Sequence, residues 1–160
     1  MSLNEEVDLL RRVPLFAKLE PSKLKLLAFT SERLTFQPGQ ALIRQGDMGD
    51  AAYVIMDGQA DVQVETPQGP LTVAHLKRND FVGEMAILCD VPRTATVIAT
   101  EQLVTLRIAK ELFFRLVTEF PQMAVEIMRV LAQRVEKTTA DLRDANNKVR
   151  ELEGKLQGKD

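Results

Sequence analysis

The segment Phe81-Val82-Gly83-Glu84-Met85-Ala86-Ile87-Leu88-Cys89-Asp90-Val91-Pro92-Arg93-Thr94-Ala95-Thr96 sets a carboxylate, Glu84, and a guanidinium, Arg93, into a largely apolar run. A charged group in such company is costly to bury unless it meets a partner. Gly83 precedes the acid and Pro92 precedes the base. Glycine lets a backbone approach a ligand closely, with no Cβ in the way. If Met85 to Leu88 form a short helical turn, its first N–H groups face outward, as in many anion sites. The Arg93 fork suits phosphate oxygens. The Glu84 carboxylate only accepts, which suits a sugar hydroxyl. A ribose phosphate uses all three features. The plainer reading is a buried Glu–Arg pair that stabilises a turn.

On both sides of this segment the apolar pattern alternates. Arg33–Phe36, Ala41–Arg44, Ala52–Asp57, Ala60–Glu65 and Leu71–Leu76 read as short strands before it; Thr94–Ala99 and Val104–Ile108 follow. Turn residues separate them at Pro38-Gly39, Gly46 to Asp50, Asp57-Gly58 and Pro67 to Pro70. Asp57-Gly58 suits a tight hairpin. Seven or eight short strands with regular turns predict a barrel or jelly roll. Asp47 and Asp50 are read as turn formers rather than calcium ligands.

The ends of the chain are helical. Leu3, Val7 and Leu10 recur at helical spacing, with acids early and Arg11-Arg12 late, the charge order a helix dipole prefers. Pro14 stops that helix, and Pro21-Ser22 opens a second with Leu24, Leu27 and Ala28 on one face. Lys110–Thr118 is amphipathic. Pro121 then begins a helix that runs to about Leu156, with no further proline and no glycine before Gly154. Its apolar residues form two heptad rows. Val135, Leu142, Val149 and Leu156 take the a positions; Leu131, Thr138, Ala145 and Leu152 take d. Lys148 at g and Glu153 at the following e would attract across a parallel pair.

The Phe81–Thr96 segment closely resembles the phosphate-binding cassette of the cyclic-nucleotide-binding domain family, which includes kinase regulatory subunits, gated channels and bacterial catabolite activators. Leu15–Ala28 and the Gln45-Gly46-Asp47, Gly49-Asp50 turn resemble the same family. The resemblance implies a mainly β fold with α. Its core is an eight-stranded double-stranded β-helix (jelly-roll) barrel, with N-terminal helices, a short cassette helix and a long C-terminal helix. It implies three regions: an N-terminal helical segment at 1–30, the barrel at 31–109 with the cassette at 81–96, and C-terminal helices at 110–157. It assigns the ribose hydroxyl to Glu84 and the cyclic phosphate to Arg93. The wider binding set is Phe81, Val82, Gly83, Met85, Ala86, Thr94 and Ala95, with Thr139 from the last helix over the base. The implied ligand is cAMP. cGMP is the alternative, because a Thr94 hydroxyl can serve guanine's amino group. Bacterial members often pair through the C-terminal helix, so a homodimer is expected.

Other classes fit poorly. A formal charge of −2 gives no basic field for nucleic acid. No apolar run is long enough for a membrane span and no signal peptide opens the chain. The single cysteine, Cys89, fits a reducing cytoplasm. The single histidine, His75, has no acidic or histidine neighbour at ligand spacing, which argues against a cupin-like metal centre. No serine has a nearby histidine, so no nucleophile–base pair is expected. We therefore expect no enzyme, no catalytic residue, no metal and no cofactor beyond the nucleotide. Few residues follow Leu156, and no DNA-binding, kinase or channel segment is expected. The chain reads as a sensor that acts on an unknown protein effector by association, or as one piece of a longer polypeptide. A dimerising scaffold with a nucleotide-unresponsive barrel is the alternative.

Overall fold

The computed structural model describes residues 2–158, so Met1 and the closing Lys159-Asp160 lie outside it. Two helices lead: α1 (Leu3–Arg11) and α2 (Pro21–Thr30). Ser2 caps α1 in a capping box with Glu5, each satisfying an otherwise orphaned N–H of the other. Eight antiparallel strands follow in two four-stranded sheets. One sheet has the order β1 (Glu32–Phe36), β8 (Leu103–Ala109), β3 (Ala51–Asp57), β6 (Phe81–Val82). The other has β2 (Ala41–Ile43), β7 (Thr96–Ala99), β4 (Ala60–Thr66), β5 (Gly69–Leu76). This is the expected jelly-roll barrel, with a short helix α3 (Glu84–Cys89) and two closing helices, α4 (Lys110–Glu119) and α5 (Pro121–Gln157).

β3 is the divider between two apolar bodies. Every residue from Ala51 to Met56 is buried. Ala51, Tyr53 and Ile55 join Leu42, Ile43, Val97 and Leu103 inside the barrel. Ala52, Val54 and Met56 join the helices on the outer face. A strand covered on both faces needs apolar residues at every position, which is why its sequence does not alternate. The outer body draws in Leu10, Phe16, Leu24, Leu27, Phe113, Leu116 and Ile127, so both helical ends pack as one layer. At its centre Phe81 meets Phe16 edge-on at 5.7 Å and stacks on Phe113 at 6.0 Å.

One buried carboxylate ties the two helical ends together. Glu126, in the second turn of α5, accepts from Lys18 Nζ at 2.8 Å and from Arg129 NH1 at 2.9 Å. The Lys18 hydrogen bond, with the nearby cations, holds the Glu126 carboxyl below its usual range. Beyond this anchor α5 leaves the body, and every residue from Ala132 to Gly158 is exposed.

Two outcomes follow from this packing. Phe113→Ala removes the ring at the centre of the outer body and should lower unfolding stability by about 3–5 kcal/mol in chemical denaturation. Glu126 has a depressed pKa, so its stabilisation is present above the ordinary value of 4.5 and is lost as pH falls through the folded value. Denaturation of the wild type and Glu126→Gln should therefore show a constant difference at neutral pH that shrinks under acid.

Candidate functional site

The cassette folds as strand, tight turn, helix and loop. β6 ends at Gly83, whose φ of 93° caps α3 in the left-handed region. Only glycine takes that backbone without strain, and a Cβ there would also lie 2.8 Å from Arg93 NH1. α3 runs one and a half turns and stops at Asp90, itself left-handed at φ 53°. The chain then returns through Pro92 to Arg93.

Arg93 is buried, and main chain holds it from two sides. NH1 donates to the Gly83 carbonyl at 2.7 Å and NH2 to the Ala51 carbonyl at 2.6 Å. The Gly46-Asp47 turn fixes its own backbone. Arg93 N donates to Asp47 O at 2.7 Å, and Gly46 N donates to Arg93 O at 2.9 Å. Gly49 completes the floor, where a Cβ would fall 2.6 Å from Ala86 Cβ and 3.3 Å from Arg93 Cζ. The glycines and aspartates of Gln45–Asp50 thus serve the arginine: Asp47 through its carbonyl, Asp50 through an ion pair at 3.0 Å that holds Arg107 alongside. Burial pushes the Arg93 pKa below its ordinary value, while Tyr53, Asp50 and Glu84 oppose that shift. Arginine stays cationic. Its two bonds go to neutral carbonyls, and no ion-pair partner lies within reach among the described residues. A buried cation held by neutral groups is set for an anion.

Glu84 is 3% exposed, in the first turn of α3. Its partner is Arg134 of α5 and not Arg93. Arg134 NH1 pairs with Glu84 Oε1, and NH2 donates to the Phe81 carbonyl at 3.0 Å. The pair rules out the plainer reading of the cassette as a Glu84–Arg93 bridge.

These groups line one cavity of about 130 Å³. Eight of the ten residues singled out in the sequence stand in its wall: Val82, Gly83, Glu84, Met85, Ala86, Arg93, Thr94 and Ala95. Phe81 lies in the aromatic core and contributes only its carbonyl to Arg134. Thr139 stands on the exposed part of α5 and does not line the cavity. Arg134 does line it, along with Ile43, Val62 and Val97 from the barrel. The barrel residues were legible only as strand positions. Arg134 carried no signal beyond its place beside the heptad rows. The cavity is smaller than the range of roughly 300–1,000 Å³ that holds small ligands, and the α5 arginine stands in its wall.

Two features differ from the sequence reading. His75 does have an acidic neighbour: its Nδ1 lies 2.6 Å from Asp61 Oδ1 on an exposed hairpin. The β4–β5 register pairs the two positions directly, a proximity invisible before the strands are paired. No metal-ligand cluster forms there or elsewhere among the described residues. The helical turn expected at Met85–Leu88 is one residue longer at each end, and β6 is a two-residue strand that the apolar run concealed.

Residues 33–120 match the family model described as the cyclic nucleotide-binding domain. A cAMP-dependent protein kinase regulatory subunit of Colletotrichum orbiculare is 36% identical over 109 residues, covering 68% of this chain and 27% of the relative. The chain thus spans about a quarter of the length of such curated relatives. The catabolite activator protein of Thermus thermophilus superposes with a TM-score of 0.74 at 28% identity, over 81% of this chain and 61% of its own. The regulatory subunit of a cAMP-independent protein kinase A from Trypanosoma brucei superposes with a TM-score of 0.70 at 25% identity, over 82% and 47%.

Gly83→Ala tests the geometry directly. The left-handed backbone alone costs an L-residue about 1–2 kcal/mol, and the added methyl displaces the Arg93 fork. Denaturation should show a loss of at least that size.

Proposed function

The chain belongs to the cyclic nucleotide-binding domain family, and from that premise we propose that it is a regulatory sensor whose cavity takes a cyclic nucleotide, cAMP foremost. The observation that carries this is a buried, unneutralised Arg93 and a buried Glu84 opening onto one cavity. Arg93 supplies the charge and donors for the cyclic phosphate, and Glu84 accepts from the ribose hydroxyl. Val82, Gly83, Met85, Ala86, Thr94 and Ala95 complete the wall. The N-terminal segment 1–30 supports the barrel 31–109, and the helices of 110–157 carry the response.

The response follows from competition for Glu84. A ribose hydroxyl and Arg134 address the same carboxylate, so a seated nucleotide favours an α5 position with Arg134 withdrawn. A ligand shifts such an equilibrium only by its differential affinity for the two states. Loss of the Arg134 contacts and gain of those to Arg93 provide that difference. The Colletotrichum relative, a cAMP-dependent protein kinase regulatory subunit, supports cAMP and a protein partner. The trypanosome relative, from a cAMP-independent kinase, indicates that this fold also serves without cAMP. Thr94 on the cavity wall makes cGMP the second nucleotide to try. No helix among the described residues is long and apolar enough to cross a membrane. The single cysteine, Cys89, supports a reducing compartment, and the cytoplasm is the proposed location.

The small cavity, with Arg134 holding Glu84, also suits a second reading, a dimerising scaffold whose barrel does not respond to nucleotide. Isothermal titration of nucleotide-free protein separates them. cAMP should bind, and Arg93→Ala should weaken it by about 2–5 kcal/mol, the range for truncating a desolvated charge partner. Arg134→Ala should tighten it by up to about tenfold, because the competent state no longer competes with the closed pair. Equal affinity in wild type and Arg93→Ala defeats the sensor reading.

A further inference from the structure

Among the described residues Arg93 has no counter-ion, although acids stand close to it. Burial lowers its pKa, and the carboxylates whose charge opposes that shift are Asp50 and Glu84. Each of the two is taken by a different arginine. Arg134 pairs with Glu84, and Arg107 NH2 donates to Asp50 Oδ2 at 3.0 Å. Asp50 is also flanked by residues that meet Arg93. The Ala51 carbonyl accepts from Arg93 NH2 at 2.6 Å, and a Cβ on Gly49 would fall 3.3 Å from Arg93 Cζ. Asp50 and Arg93 line one polar pocket of about 230 Å³, together with Arg44, Asp47 and Tyr53. The Asp50 backbone is pinned, since its carbonyl accepts from Lys110 N at 2.9 Å. Its side chain is 73% exposed, so rotation of that side chain is all that separates the carboxylate from Arg93.

We propose that Arg107 is a positioning residue for the anion site: it holds the Asp50 carboxylate away from Arg93, so that Arg93 keeps its charge open to a cyclic phosphate. β8 sets Arg107 directly across from Tyr53 of β3. The Arg107 side chain is 24% exposed, far less than that of Asp50, so the cation is the fixed member and the carboxylate comes to it. Glu32 Oε2 adds a looser hold on Arg107 from β1, at 3.8 Å. A pair with so exposed a member adds little to folding stability. Its effect lies in what it prevents. Without Arg107 the Asp50 carboxylate turns into the pocket that Arg93 lines. There the buried Arg93 attracts it more strongly than the exposed Arg44, because solvent and salt screen a buried charge less. A guanidinium already paired with a carboxylate no longer draws a second anion. Asp47 lines the same pocket, but Arg93 N donates to its carbonyl, and its carboxylate is not among the charges acting on the guanidinium. The inference rests on the reading of Arg93 as the phosphate's partner, and it supplies the reason that this arginine stays unpaired.

Isothermal titration of cAMP into the full chain tests the assignment with wild type, Arg107→Met and the double variant Arg107→Met/Asp50→Asn. Methionine keeps the apolar stem of the arginine and removes its charge. Arg107→Met should bind about tenfold more weakly, as when the competent state falls to about a tenth of the population. Asp50→Asn in the same chain should recover most of that loss, since an amide cannot neutralise Arg93. A purely structural role for Arg107 predicts no recovery. Arg107→Met binding like the wild type, or a double variant as weak as the single one, overturns the proposal. A second measurement needs no nucleotide, so failure of the wild type to bind cAMP counts against the sensor reading and not against this one. In chemical denaturation Asp50→Asn should lower the midpoint in the Arg107→Met background, through loss of the new Asp50–Arg93 pair. That drop should vanish when Arg93→Met is also present. No drop, or an equal drop with and without Arg93, overturns the proposal. Circular dichroism checks the fold of each variant, and Arg107→Gln takes the place of Arg107→Met should the latter not fold.

Discussion

The costliest element of this molecule is a buried guanidinium bound to nothing negative. Arg93 is 7% exposed, and its fork meets only the carbonyls of Gly83 and Ala51. Removing a cation from water is expensive, and neutral acceptors recover only part of that cost. Much of the surrounding structure serves this one placement. Gly83 is needed because a side chain would strike the fork, and Gly49 because one would strike Ala86 beneath it. The Gly46-Asp47 turn pins the arginine backbone, and Met48 bridges to Pro92 just before it. Asp50 holds a second arginine, Arg107, in position nearby. A barrel that needed only stability would do better with an apolar residue of similar volume at this position.

Much of that arrangement was legible in the sequence because its parts are local. Gly83, Glu84, Pro92 and Arg93 lie on one short segment, and turn chemistry fixes their relative positions whatever packs around them. The barrel was legible from alternation and turn residues, although β3, read with the alternating strands, is in fact buried at every position from Ala51 to Met56. What stayed hidden was long-range. Arg134 reaches Glu84 across 50 positions, and no periodicity marks it. His75 meets Asp61 only through strand register. The helix contact expected at Thr139 illustrates the same limit. A helix read from sequence has faces, yet nothing in it fixes which turn arrives at the cavity. In this structure Arg134, one turn and a half earlier, stands there instead.

α5 joins these parts, since three different interactions act along its length. Its first turns are fastened to the N-terminal segment through Glu126 and Lys18. Its middle is latched to the cassette through Arg134 and Glu84. Its outer half carries an apolar seam exposed to solvent. A helix transmits rotation rigidly over such a distance, so a change at the latch re-aims the seam without altering the anchor. The anchor is a carboxylate bonded by Lys18 and Arg129, both more than half exposed, so solvent screens its attractions. The latch joins the buried Glu84 to a half-exposed Arg134, which also donates to the Phe81 carbonyl. A hydroxyl presented to Glu84 from the cavity would compete with the latch and leave the anchor alone.

The strength of the latch decides how the molecule can respond. To move a two-state helix from almost wholly closed to almost wholly open, a ligand must prefer the open state by about 5.5 kcal/mol. A strong latch would consume most of a nucleotide's binding energy and leave the domain silent at ordinary concentrations. A latch with one half-exposed partner demands less than a fully buried pair would. Because such coupling is reciprocal, any factor by which the α5 position alters affinity at the cavity is also the factor by which occupancy of the cavity alters the α5 position. The cassette helix is where the two meet. Glu84 faces the cavity from its first turn, and Met85, Leu88 and Cys89 face an apolar groove between α3 and α5 from the same six residues. A rigid element this short cannot adjust one face without moving the other.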